Sequence, residues 1–239
     1  MAISILSRIL DRPVEALTLA REHARSWWLP ALLVVATGLA LAWCVAPYEA
    51  ARQAEQTEAL LSRLPAEQRD LALEQQMPAT TGPVMILIGV GLGALVAALG
   101  WAVRAGVLHL GAVALGGESQ WPGTYAAVVW SMTPLAVRNL VQMGSVIMRG
   151  QAIAHQGLAF LVATADPWAD AARFTYQFLG NIDPFALWHL ALFIIAAKVA
   201  VRISWAKAAI TALVIWVAIT TLRILPALIS ARLMASLFA

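Results

Sequence analysis

Five apolar stretches, each about as long as a bilayer is thick, constrain this chain more than any other feature: 27–45, 83–103, 125–146, 184–201 and 208–228. A helix needs roughly 20 predominantly apolar residues to cross the hydrocarbon layer. Inside that layer water is absent, so a spanning segment must satisfy its own backbone hydrogen bonds, and for segments of this length that means a helix. Of 239 residues, 61% are hydrophobic and 12% charged, against about half and a quarter in soluble domains. A water-soluble fold of this size has no interior large enough to hide such a surface. The expected fold class is all-α: a polytopic membrane protein, with a five-transmembrane-helix bundle over 27–239 and an amphipathic N-terminal helix over 1–26.

In the polar lead, Ile5, Leu6, Ile9 and Leu10 form an apolar face with Arg8 and Arg12 beside it. Pro13 suits the first turn of a new helix, and Val14, Leu17 and Ala24 continue the stripe. Such a helix lies in the headgroup layer with its arginines on anionic lipid, or it packs beneath the bundle. The first span is read as a retained anchor: the polar lead is long and no small-x-small cleavage site ends the apolar block. Trp27 and Trp28 open that span and Trp43 and Tyr48 close it, as aromatic belts at two interfaces would. From Glu49 to Gln76 the composition turns to Glu, Gln, Ala, Leu and Arg, all but the occasional residue strong helix formers. With Pro65 starting a second piece, and Leu60, Leu61, Leu64, Leu71 and Leu73 giving a sticky face, outer loop 49–81 is expected to form an extramembrane helical hairpin. A second mixed outer loop covers 149–181.

Within the spans, Gly89 and Gly93 are four apart and followed by Ala97, a spacing that lets helix backbones approach closely in lipid. These three are the expected helix-packing positions. The run Gly89-Val90-Gly91-Leu92-Gly93 does not complete GxGxxG and lies within a span, which excludes a nucleotide loop. Apolar sequence continues from Val107 to Leu115, so this helix projects past the bilayer or bends back along it, and Gly116-Gly117-Glu118-Ser119 ends it. Pro134 predicts a kink in the third span. Arg138 is the unusual residue there, with Asn139 adjacent and Gln142 one turn later. A charge within a span faces a partner, a cavity or water. Arg138, Asn139 and Gln142 therefore form a polar seam that contacts a substrate or partner subunit, or else the span ends early and Arg138 snorkels to the interface.

No catalytic, cofactor or metal site is expected. His23, His109, His155 and His189 have no histidine neighbour at i+3 or i+4, and no HExxH occurs. His189 reads as an interfacial histidine and the Asp166/Asp170 pair as a solvated acidic helix start. GxSxG and Walker motifs are missing, and Cys44 is the single cysteine. Basic residues are scattered singly, unlike a nucleic-acid-tracking patch. With the N-terminus inside, Arg8, Arg12, Arg21, Arg25, Arg104, Lys198, Arg202 and Lys207 fall on inner segments, against five basic residues in the longer outer loops. The positive-inside rule then predicts a cytoplasmic N-terminus and an external C-terminus.

Several motifs recur together from the glycine break onward. Gly116-Gly117-Glu118-Ser119 precedes Trp121-Pro122-Gly123-Thr124-Tyr125, followed by Ser131-Met132-Thr133-Pro134-Leu135. Ile182-Asp183-Pro184-Phe185-Ala186-Leu187-Trp188 opens the fourth span, and Ser204-Trp205-Ala206-Lys207-Ala208 joins the fourth to the fifth. In these the chain resembles the Yip1 domain family of five-span membrane proteins. The family-motif positions are Gly116, Gly117, Pro134, Asp183, Trp188 and Lys207. The resemblance implies a non-enzymatic role without cofactors. Eukaryotic members act in vesicle trafficking and bind small GTPases through a cytosolic N-terminal segment; the acidic Tyr-Gly motif associated with that segment is missing here. Some bacterial relatives accompany a MacB-like ABC exporter and its membrane-fusion adaptor, and the large outer segment 49–81 suits such a relative. The expectation is thus an accessory or scaffold protein of the bacterial inner membrane, with membrane lipids, exporter subunits and adaptor as partners. The alternative is a stand-alone membrane-shaping or lipid-interacting protein.

Overall fold

Apolar blocks that must satisfy their own backbone become helices, and in the computed structural model every regular element among the described residues is helical. The description covers residues 1–61, 83–114, 118–164 and 166–237, together with Arg69 and Gly116. In chain order the elements are α1 (Ala2–Arg8), α2 (Pro13–Glu22), a 3-10 turn (Ala24–Trp27), α3 (Trp28–Leu61) and α4 (Pro83–Ala114). There follow α5 (Trp121–Trp130), α6 (Thr133–Arg149), a second 3-10 turn (Ala159–Leu161), α7 (Pro167–Ala171), α8 (Phe174–Leu179), α9 (Pro184–Val201) and α10 (Trp205–Leu237). Among the described residues four segments are long and apolar enough to cross a bilayer: Ala24–Arg52, Gly91–Ala114, Pro184–Val201 and Trp205–Leu233. They stand where the first, second, fourth and fifth spans were expected.

Two boundaries differ from the sequence reading. α3 runs on past Tyr48 to Leu61 with Pro47 inside it, so the first arm of the expected hairpin continues the first span. Pro65, with Leu64, Leu71 and Leu73, lies outside the described residues. α4 likewise continues unbroken through Arg104 to Ala114. Arg104 therefore lies within a candidate span, not on the inner loop where the charge count placed it.

The expected third span, 125–146, is not one kinked helix. Its residues fall in two helices, α5 and α6, separated at Ser131 and Met132, with Pro134 in the first turn of α6. Proline has no N–H, so the carbonyl four residues earlier, on Trp130, loses its helical donor. Thr133 Oγ1 donates to that carbonyl at 2.7 Å. Leu135 N turns instead to Met132 O, which frees the carbonyl of Ser131. His189 of α9 donates to it from Nδ1 at 2.8 Å. His189 is buried, 4% exposed, and not interfacial as its position near the start of the fourth span suggested.

α5 sits at the centre of the bundle, and Ala126 to Trp130 are all sealed from solvent. A helix apolar on every side is a buried one. Around it pack α2, α4 and α9 and the first 3-10 turn. The N-terminal lead is thus part of the bundle: Ala16, Leu17 and Ala20 of α2 are fully buried, and the buried Trp130 Nε1 donates to Ser26 Oγ at 3.0 Å. Gly123 permits this closeness, because a Cβ there would stand 2.9 Å from the Arg21 carbonyl oxygen. α3 and α6 lie side by side, and α9 packs on α10.

Replacing His189 with Leu leaves the Ser131 carbonyl without a donor. The expected loss is about 1–3 kcal/mol, read as a lower thermal unfolding midpoint in detergent. His189→Gln, which keeps a donor, should lose less. An unshifted midpoint for His189→Leu would refute the role given to this hydrogen bond.

Candidate functional site

Polar side chains gather in three places. The first lies where α4 turns into α5. Gly116 takes a left-handed backbone, φ +74, ending the helix that Ala114 closes; Gly117 lies outside the described residues. Ser119 Oγ sits 2.8 Å from both His109 Nδ1 of α4 and Thr124 Oγ1 of α5. Glu118 pairs with Arg202, the left-handed cap of α9, at 3.2 Å. That ion pair is exposed and contributes little to stability, but it places the α9 end beside the glycine break. Lys207 is exposed, with its backbone N 3.4 Å from Ser204 Oγ at the start of α10. Trp188 packs against the apolar core.

The second is a seam inside the bundle. Asp183 is the N-cap of α9, its Oδ1 accepting from Ala186 N at 2.8 Å. Its Oδ2 faces Arg138 Nε of α6 at 3.0 Å. The two meet as an ion pair, since the Nε–H is not aligned for a hydrogen bond. Both side chains are largely buried, 20% and 11% exposed. Asn139 turns to α3, its amide 3.2 Å from Thr37 Oγ1; with its oxygen facing α3 it also accepts from Gly38 N. Gln142 is half-buried and has no hydrogen-bond partner among the described residues.

Arg138 is not the only charge here. Arg104 of α4 is half-buried, with Nη1 donating to Gly100 O at 3.1 Å. Arg223 of α10, inside the expected fifth span, lies within electrostatic reach of both Arg104 and Arg138. The sequence reading passed over Arg223, although an arginine five residues before the end of that apolar block was a signal of the same kind as Arg138.

The third place is a vestibule of about 820 Å³ between α3 and the segment 150–176, lined by Glu49, Arg52, Glu55, His155 and Tyr176 among others. Its floor is built by Asp170, which is 1% exposed. Asp170 accepts from Thr164 N and Oγ1 at 2.8 and 2.9 Å and pairs with Arg173 at 3.1 Å. It is therefore not the solvated helix-start residue the sequence suggested, whereas Asp166 does cap α7 through Ala169 N. No cluster of three or more His, Cys, Asp or Glu able to hold a metal occurs among the described residues.

The expected packing face on α4 is divided. Ala97 packs against the core. Gly89 and Gly93 meet nothing within 4 Å of a Cβ built on them, so the close helix approach expected there is not made within the described chain.

Apolar helices long enough to cross a bilayer, with a polar interior used to seat helix ends, define an all-helical multi-pass membrane protein. The Yip1 domain profile matches residues 7–225, nearly the whole length. The chain belongs to the Yip1 domain family. No curated relative and no solved structure matches it. Members of the family are not known as enzymes.

Asp183 separates two effects. Asp183→Asn keeps an oxygen for the cap and removes the charge opposite Arg138; Asp183→Ala removes both. Leaving Arg138 unpaired should cost up to about 3 kcal/mol, and loss of the cap about 1 kcal/mol more. Because the partners touch, Arg138→Leu combined with Asp183→Asn should cost less than the sum of the single changes. Strict additivity of the unfolding midpoints would contradict the pairing.

Proposed function

We propose that the protein is a non-enzymatic accessory or scaffold subunit of a bacterial inner membrane, working by lateral contact with the helices of a larger assembly. A MacB-like ABC exporter with a membrane-fusion adaptor is the assembly it fits. In this reading α5 and α6 together make the third crossing, which brings the total to five; the N-terminus is cytoplasmic and the C-terminus external. The α3 arm beyond Tyr48 then reaches towards the adaptor, with the outer vestibule at its base.

The observation that carries the reading is the bare outer half of α4. Gly89, Gly91 and Gly93 meet nothing among the described residues, and exposed Leu92, Leu95, Val96 and Leu99 stand beside them. In lipid, helices associate through close van der Waals packing at small residues and not through apolar burial. A run of glycines without a neighbour among the described residues is therefore a place for a helix from another subunit. Copurification from native membranes in mild detergent tests this: exporter helices should accompany the wild type. Gly89→Leu with Gly93→Leu should lose them while the protein itself stays folded, since the added side chains meet nothing among the described residues. Recovery of the wild type alone would defeat the proposal.

A second reading, a lipid-interacting or membrane-shaping protein, is favoured by α1 and its exit. Ile3 and Leu10 are 78% and 71% exposed although Ile5 and Ile9 beside them are buried. Deleting the lead would remove core residues, so point changes discriminate better. Ile3→Glu with Leu10→Glu should leave the melting midpoint unchanged. On this second reading it should also abolish deformation of liposomes by the reconstituted protein, and on the scaffold reading it should not.

A further inference from the structure

No acidic residue occurs in α4, α5, α6, α9 or α10, yet Arg104, Arg138 and Arg223 lie inside three of them. Asp183, placed just before α9, compensates Arg138. Neither Arg104 nor Arg223 has an acidic partner among the described residues. They belong to α4 and α10, which pack on each other, and their positive charges act on one another. Within a span each is costly without a counter-charge, and their repulsion is strongest where water is excluded.

One anion set against both arginines removes both costs. The guanidinium fork matches a phosphate in two parallel hydrogen bonds, and Arg104 commits only Nη1 to its own helix. Arg223 is exposed on the flank of α10, next to exposed Leu222 and Leu225 and one to two turns from exposed Ile229. On α4, Leu99, Val103 and Val107 are exposed on either side of Arg104. Positive charge with long apolar flanks suits a molecule that has a phosphate at one end and acyl chains at the other. We propose that Arg104 and Arg223 form a lateral site for the phosphate of an anionic phospholipid, its chains lying along the exposed faces of α4 and α10. An acidic side chain on a partner helix is the competing counter-charge, but nothing about the flanking surface selects it.

Native mass spectrometry of the full-length protein, released from detergent containing equal phosphatidylglycerol and phosphatidylcholine, reads the site. The wild type should retain phosphatidylglycerol preferentially. Arg104→Gln with Arg223→Gln should cut that preference by roughly tenfold, equivalent to about 1.4 kcal/mol. Arg149→Gln with Arg232→Gln, which removes as much charge at two other exposed positions, should leave it intact. If the double variant unfolds, Arg223→Gln alone, at an exposed position, carries the comparison. Equal retention of the two lipids by the wild type overturns the proposal and leaves the partner helix as the source of the counter-charge. Stabilisation of lipid-depleted protein by inorganic phosphate, without any preference for phosphatidylglycerol, also overturns it and assigns the arginines to a soluble anion.

Discussion

A helix interrupted inside a low-dielectric layer leaves carbonyl oxygens that water cannot reach, and the central architecture depends on how two of them are met. Between α5 and α6 the carbonyls of Trp130 and Ser131 are taken by Thr133 and His189. One donor is local, a hydroxyl one residue before the proline that caused the loss. The other comes from a different helix, and so ties the position of α9 to the break. With α9 anchored there, Asp183 at its start falls opposite Arg138. The interruption thus sets both the packing of the bundle and the location of its ion pair.

Asp183 stands where two requirements coincide. The start of α9 exposes unpaired N–H groups that a carboxylate satisfies well, and Arg138 needs a negative charge at the same depth. One side chain meets both, with a different oxygen for each. Arg104 and Arg223 are not so provided for, which leaves α4 and α10 with more positive charge than the described residues balance. The imbalance lies between α4 and α10, while the glycine face of α4 stands open nearer its other end. Both unsatisfied features involve α4, the helix with the least of its span buried apart from α3.

The family motifs acquire physical roles in this arrangement. Gly116 supplies a left-handed turn, Ser119 bridges α4 and α5, Gly123 lets α2 lie against α5, and Ser131 to Pro134 build the break. Their common effect is to hold short and long helices in register at points where polar backbone would otherwise be stranded. None of them assembles a reactive group.

Length and apolarity alone determined that this chain is helical and crosses a membrane, because lipid admits so few backbone conformations. They also located four crossing segments and the glycine break after α4. The same residues marked Arg138 as costly, since burial of charge can be read from sequence without coordinates. What they left open were matters of pairing across distance. That Pro134 would end one helix and begin another, and not merely bend it, depended on His189 being present to take the Ser131 carbonyl. That α2 would be buried and not float among headgroups depended on Gly123 being opposite Arg21. Local composition sets which groups need partners; only the tertiary packing, by bringing residues far apart in the chain within about 3 Å, decided which partners they found.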